Sequence, residues 1–329
     1  MNGFRIFVPL AWAAMALAQE PSELIGSIDF YGYGNANVAK LRDALPFHVG
    51  DHLPAQRDRE TLQSLRKVTG REVKIELVCC LQNGRSLVYI GLAEDDAPPI
   101  RFNSRPNGDV KLSAEALKIL SDRDEHSSAA VERGVAGEDD SKGYALDEDP
   151  ASRADQLKLL AWTREHTDLV LRVLAESRAN QQRAYAAEAL GYAERSPRQI
   201  AALVEAAFDS DGLVRNNAVR ALEVLCAVGA EVTRQIPAAR FVPLLHSLTW
   251  TDRNKGSLVL AQLTKSRDPE ILKMLRDQAL GPLREMVQWS NSGHAWAPKM
   301  ILGRVAGIEE SRLLEMGPSG IPEILRRLQ

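Results

Sequence analysis

Two stretches of this chain, 32 residues apart, carry nearly the same pattern. Arg183-Ala184-Tyr185-Ala186-Ala187-Glu188-Ala189-Leu190 returns as Arg215-Asn216-Asn217-Ala218-Val219-Arg220-Ala221-Leu222. In both, an Arg is followed by Ala three and six positions on, and then by Leu. On an α-helix that spacing puts Ala186 with Ala189 and Leu190, and Ala218 with Ala221 and Leu222, on one face. Small side chains there let a neighbouring helix come close. A helical unit recurring at this period folds as a stacked array, in which each unit leans on its neighbours. Such arrays present surfaces to partners and seldom carry chemistry of their own.

From Ala151 onward helical patterns come in pairs: 156–162 with 168–174, 183–192 with 198–208, 213–228 with 239–248, and 255–263 with 269–280. A last set covers 296–303 and 309–314, with 321–328 as a closing helix. Ser196-Pro197 and Asp268-Pro269 place a capping residue before a Pro suited to the first helical turn. Residues 209–222, with Asp209, then Val214-Arg215, then spaced Ala and Leu, resemble a HEAT repeat. The other copies depart from that pattern. Ser177 and Ser247 stand at the Asp position, Gly256 replaces the first Ala in the copy at Arg253, and the copy at 296–303 lacks the Arg. The resemblance implies an α-α solenoid over 151–329 whose internal Asp–Arg ladder is broken.

The chain ahead of the array has a different texture. Ile25-Gly26-Ser27-Ile28-Asp29-Phe30 ends in the Gly-rich bend Tyr31-Gly32-Tyr33-Gly34. Helical patterns over 38–45 and 59–68 follow, separated at Gly50-Asp51. Val73, Ile75, Leu77 and Cys79 then alternate with Lys74, Glu76, Val78 and Cys80, as in a half-buried strand. Asn83-Gly84 is a hairpin turn, and 87–92 reads as a well-buried return strand. The order strand, helix, helix, strand, strand resembles the POTRA domain of outer-membrane assembly and secretion proteins. Ile28-Asp29-Phe30 with its following Gly, residues 41–45, Gly50 and Leu92-Ala93-Glu94 carry the resemblance. It implies a protein-binding module over 19–96, with the middle strand, Val73 to Cys79, at a sheet edge open to an added strand. A POTRA domain usually precedes a membrane barrel, yet the second half here is helical and lacks the alternating strands that a barrel needs.

The N-terminus reads as a secretory signal over 1–18. Arg5 supplies the positive end, 6–17 an apolar stretch too short to span a bilayer, and Ala16-Leu17-Ala18 a cleavage box before Gln19. The expectation is a chain that is periplasmic or secreted, soluble after signal removal and compatible with envelope association. A net charge of −3 gives no basic footprint for nucleic acid. The three cysteines read as free thiols, because a bond between adjacent Cys79 and Cys80 is too tight and Cys226 sits on an apolar helix face.

Residues 97–150 read as a linker. A short helix capped by Ser113 carries Ala116, Leu117 and Leu120, and the acidic stretches 137–143 and 147–150 are expected to stay solvated and disordered. Their oxygens do not follow the grid of a calcium loop. His48-Val49-Gly50-Asp51-His52 places two His at i and i+4, but Pro46 and Gly50 favour a turn over a metal-binding helix. His126, His166, His246 and His294 have no metal spacing, and no nucleophile elbow, phosphate loop or C-x-x-C pair is present.

The expected protein is thus multidomain and mainly α: a small α+β module followed by a helical solenoid, with no catalytic, cofactor or metal residues. Its expected role is an exported, non-enzymatic interaction scaffold for protein partners. The expected contact residues are Val73, Lys74, Ile75, Glu76, Leu77, Val78 and Cys79 at the sheet edge; Trp250, Trp289 and Trp296 read chiefly as packing between helices, with Trp289 or Trp296 as an exposed anchor, of the kind that dominates interfaces, the second reading. A regulatory or inhibitory subunit of an exported enzyme is the alternative, with a metal-dependent enzyme on His48 and His52 behind it.

Overall fold

The computed structural model describes residues 24–52, 57–78, 85–135 and 137–329. The expected signal segment, Cys79, Cys80 and the Asn83-Gly84 turn lie outside the described residues. In chain order the elements are β1 (Ile25–Tyr31), α1 (Val38–Asp43), α2 (Arg57–Thr69), β2 (Val73–Val78), β3 (Ser86–Leu92), α3 (Ala114–Glu132), β4 (Glu138–Asp139) and β5 (Leu146–Asp147). Helices α4 (Pro150–Glu165), α5 (Thr167–Glu176), α6 (Asn180–Leu190), α7 (Pro197–Ala206), α8 (Gly212–Cys226), α9 (Ala230–Thr233) and α10 (Ala238–Phe241) follow. The last are α11 (Trp250–Leu263), α12 (Pro269–Gln278), α13 (Leu280–Met286), α14 (Ser292–Val305), α15 (Glu310–Glu315) and α16 (Ile321–Arg327).

The chain divides into two compact units. A sheet unit takes the described residues up to Pro98 together with Leu245–Arg253 and Leu272–Gln329. An array unit takes Pro99–Leu244 and Asn254–Ile271. The expected solenoid segment 151–329 is divided between the two units.

In the sheet unit the strand order is β1-β3-β2, with β1 parallel and β2 antiparallel to the central β3. Alternation sorts the side chains. Ile28, Phe30, Val73, Val88, Ile90 and Leu92 face one way and pack with Leu41 of α1 and Leu65 of α2. Asn37 caps α1 by accepting the Lys40 N–H. The opposite face carries Asp29, Tyr31, Lys74, Glu76 and Tyr89, and it too is covered. Trp289 and His294 ring-pack on it, as does Trp250 at the start of α11. Central β3 is buried at every position, which explains its near-continuous apolar run. Gly91 pairs with Tyr31, and a Cβ there would lie 2.6 Å from the Tyr31 hydroxyl. Only glycine leaves that ring room to lie across the sheet.

In the array unit the Ala stripe is where the repeat places it. Ala186, Ala189, Leu190, Ala218 and Leu222 are fully buried, and α6 packs on α8. Each repeat Arg anchors its own turn. Arg183 donates to the Ser177 carbonyl at 2.9 Å and Arg215 to the Asp209 carbonyl at 3.0 Å, six residues back in both. One rung of the ladder is intact: Arg183 also grips the Asp209 carboxylate through two bonds of 2.8 and 2.7 Å. Arg220 is half-buried and paired with Glu138 and Glu223.

The expected linker is ordered. Helix α3 is 19 residues long and packs on α4, so the array begins before Ala151. The acidic stretch is held because its carboxylates have partners. Asp149 caps α4 by accepting the Ala151 and Ser152 N–H groups. Asp147 is buried, accepting from Ser127 and Ser152 while its own N–H donates to Gln156 at 2.6 Å. Arg133 pairs with Asp149 at 2.6 Å. Between β4 and β5, the Ala145 carbonyl accepts the Tyr192 hydroxyl at 2.9 Å.

Candidate protein-interaction surface

A three-stranded sheet of this order has two edges, and the chain treats them differently. Along β1 the backbone is already engaged. The Ile25 N–H donates to Asp51 and the Ile25 carbonyl accepts from Gly50, both at 2.9 Å. Arg42 reaches the Ile28 carbonyl at 3.3 Å and the Trp289 indole N–H reaches that of Phe30 at 3.4 Å.

The β2 edge differs. The Ala93 N–H donates to the Glu72 carbonyl at 2.9 Å, which sets the phase of the β2–β3 ladder. Antiparallel pairs alternate between those that exchange hydrogen bonds and those that do not. With Lys74 opposite Gly91, Glu76 opposite Tyr89 and Val78 opposite Leu87, these three β2 residues direct their backbone groups to β3. Val73, Ile75 and Leu77 therefore point their N–H and C=O groups outward, about 7 Å apart.

The side chains of the strand are occupied within the sheet unit. Glu76 accepts the Trp250 N–H at 2.5 Å and the Tyr31 hydroxyl at 3.0 Å. Lys74 donates to Thr249 at 2.9 Å and to Glu76 at 3.2 Å. A second layer covers the face of the strand that carries Lys74 and Glu76. Val73 and Val78 are buried, and half-buried Ile75 and Leu77 pack against the core on the other side. Expected contact residue Cys79 lies outside the described residues.

The second layer is a packed set of rings. Tyr89 stacks on Trp250 at 4.7 Å and meets Trp289 edge-on at 5.2 Å. Its hydroxyl lies 2.6 Å from Nδ1 of His294. Burial pushes the Tyr89 phenol far above its usual range. Asp29 accepts the Ser290 N–H at 3.0 Å and its hydroxyl at 2.8 Å, yet burial still raises its carboxyl. Trp289 is buried here and is no exposed anchor, while Trp296 is half-buried in α14. Spacing alone does not tell a core position from an exposed one.

Beside the rings lies a charged cluster. Arg253, with a fully buried side chain, donates to the Ser247 carbonyl at 2.6 Å and to Glu94 at 2.5 Å, and its guanidinium lies 4.8 Å from the Tyr31 ring centre. His246 sits between two acceptors: Nδ1 is 2.6 Å from Glu94 and Nε2 is 2.9 Å from the Gln278 carbonyl. Burial works to raise the Glu94 carboxyl, but the bonds and charges of His246 and Arg253 prevail and hold it below its ordinary value. Glu285 clamps the Gly-rich bend, accepting the Gly32 N–H at 2.5 Å and the Gly34 N–H at 2.7 Å. Both glycines have positive φ, +69° and +53°. Burial raises the Glu285 carboxyl even so. The cluster fixes the end of β1 and so fixes the sheet.

His48 lies in a turn closed by its own N–H to the Asp51 carboxylate at 2.7 Å, so the pair with His52 is not on a helix. Among the described residues no group of three or more His, Cys, Asp or Glu is placed to hold a metal ion. Among them, too, no helix is long and apolar enough to cross a membrane. Cys226 is a free, buried thiol.

No family model matches the chain, and no curated protein matches it. Among the solved structures that are similar to it are the following two. An engineered protein is 16% identical over 66% of this chain and 95% of its own, with a TM-score of 0.37. A computationally designed armadillo repeat protein, made for modular peptide recognition, is 14% identical over 64% of this chain and 96% of its own, with a TM-score of 0.38. Likeness at that level carries no function across.

Proposed function

We propose that this protein is an exported, non-enzymatic interaction scaffold that takes up an extended segment of a partner protein as an added strand on β2. The observation that carries the reading is the outward aim of the Val73, Ile75 and Leu77 backbone groups, on a strand whose side chains are held by its own unit. An edge of that kind offers main-chain hydrogen bonds, which supply affinity with little dependence on side chains. The β-α-α-β-β order, with the middle strand at the edge, supports a POTRA-like module. The signal pattern ending at Ala18 supports export and a mature chain beginning at Gln19.

The test is capture of partners from the native envelope by the mature protein, with the bound proteins identified by mass spectrometry. Ile75→Pro removes one outward donor, which an edge strand tolerates. Ile75→Ala removes the same packing but keeps the donor. The proline variant is expected to capture partners about tenfold less well, the worth of one hydrogen bond, with the alanine variant close to wild type. Undiminished capture by a folded Ile75→Pro protein refutes the strand-addition reading.

A further inference from the structure

Residues 99–113 of the array unit contain no helix or strand, yet they are tied down along their length. The Asn103 N–H donates to the Phe208 carbonyl at 2.6 Å, and the Asn103 amide donates to that of Glu205 at 2.8 Å. Arg105 donates through Nε to the Arg178 carbonyl at 2.9 Å. Gly108 pairs strand-like with the chain after α5, its N–H on the Glu176 carbonyl at 2.9 Å and its carbonyl accepting the Arg178 N–H at 2.7 Å. Leu112 donates its N–H to Gln182 at 2.8 Å.

Four of these acceptors are carbonyls at or just past the ends of α5 and α7, where a helix runs out of internal donors for its last carbonyls. The two helices hold equivalent places in successive pairs, so the strap follows the repeat of the array. Side chains are read as well. Arg215 lies over the Phe102 ring at 4.1 Å, and Arg178 pairs with Asp109 at 2.7 Å. Gly108 admits no side chain, because a Cβ would sit 2.7 Å from the Glu176 carbonyl oxygen. A segment that merely connects needs only length, whereas this one is recognised residue by residue. It is also held at the surface: 101–105, Asn107 and Asp109 are exposed, and Leu112 is its buried anchor.

We propose that this face of the array is a binding site for extended peptides of the pattern aromatic-Asn-x-Arg-x-x-Gly-Asp, occupied in cis by residues 102–109 and open to a partner's segment of the same chemistry when the strap lifts. The site is separate from the β2 edge and does not depend on it. Tethering gives the strap a local concentration of roughly millimolar order, so a free peptide meets a strong internal competitor.

The test uses the full chain and a fluorescent 15-residue peptide with the sequence of residues 99–113, with binding read by anisotropy. Asn103→Ala/Arg105→Ala/Gly108→Val in the chain weakens the internal competitor. That variant is expected to bind the peptide at least about tenfold more tightly than wild type does, as follows from removing a tethered rival. A peptide with Val at the Gly108 position is expected not to bind, and Ile75→Pro in the chain is expected to leave peptide binding unchanged. Equal affinity of the folded variant and wild type, or equal binding of the Val peptide, overturns the proposal. If the triple variant does not fold, amide exchange on wild type decides. Asn103, Gly108 and Leu112 are expected to exchange well before the cores of α6 and α8. Exchange of the strap only together with those cores overturns the proposal.

Discussion

Asp209→Ala tests the internal logic of the repeat. The Arg183 side chain is 1% exposed and that of Asp209 9%. The pair is bidentate, and the third Arg183 nitrogen is held by the Ser177 carbonyl. Asp209 also accepts the Asp211 N–H at 2.8 Å, just before α8 begins. Removing the carboxylate leaves a guanidinium buried without its counter-charge, which costs about 3–5 kcal/mol. Losing the turn bond adds about 1 kcal/mol. Together these are a large share of the roughly 5–15 kcal/mol that holds a typical domain folded. The double variant Arg183→Met/Asp209→Leu removes both charges and fills similar space, so it is expected within about 2 kcal/mol of wild type. Because two units can unfold separately, the assay is urea unfolding combined with amide exchange at Ala186, Ala187 and Ala189. A cost below about 1 kcal/mol for Asp209→Ala, or a double variant as unstable as the sum of the singles, refutes the reasoning.

Glu94→Gln is expected to destabilise the sheet unit at neutral pH. The folded carboxyl lies below its unfolded value, so its contribution is full above about pH 4.3 and is lost as pH falls through the folded value. Urea melts of both proteins across pH 3–7 check this, and a pH-independent difference contradicts it. Cys226 is buried, which pushes its thiol up to about 12; in a Cys79→Ser/Cys80→Ser background it is expected to react with a disulfide reagent at least about a hundredfold more slowly than in the unfolded chain. Ala218→Leu overpacks a fully buried site and is expected to cost about 1–3 kcal/mol. Urea melts check this, and an unchanged midpoint assigns the wrong helix face to Ala218.

What the sequence conveyed was what periodicity conveys. The Ala186 and Ala218 stripes, the alternation of β2 and the buried run of β3 each follow one apolar period, and each folds accordingly. The misses have physical causes as well. Helix α3 runs well past the expected short helix because its inward stripe continues through Arg123 and Ser127, polar residues that are buried here. Arg123 pairs with Glu188 of α6, a partner that local sequence cannot reveal. The acidic stretch looked soluble by composition, yet Asp147 and Asp149 serve as a buried acceptor and a helix cap. The strap carries no period at all, so nothing in its pattern announces the carbonyls that hold it. The second layer on the sheet was hidden because Tyr89, Trp250, Trp289 and His294 come from distant parts of the chain and meet only in the fold. At the candidate edge the strand was legible, but which of its residues face outward depends on the ladder phase. That phase makes Ile75, and not Val78, which bonds to β3, the informative position to substitute.

The central claim is that partners add to β2 through alternate backbone groups, and amide exchange on the captured complex tests it most directly. Protection is expected to rise at Val73, Ile75 and Leu77 on binding. Lys74, Glu76 and Val78, already bonded to β3, are expected to change little. Unchanged exchange at Val73, Ile75 and Leu77, with new protection confined to the array helices, contradicts the claim.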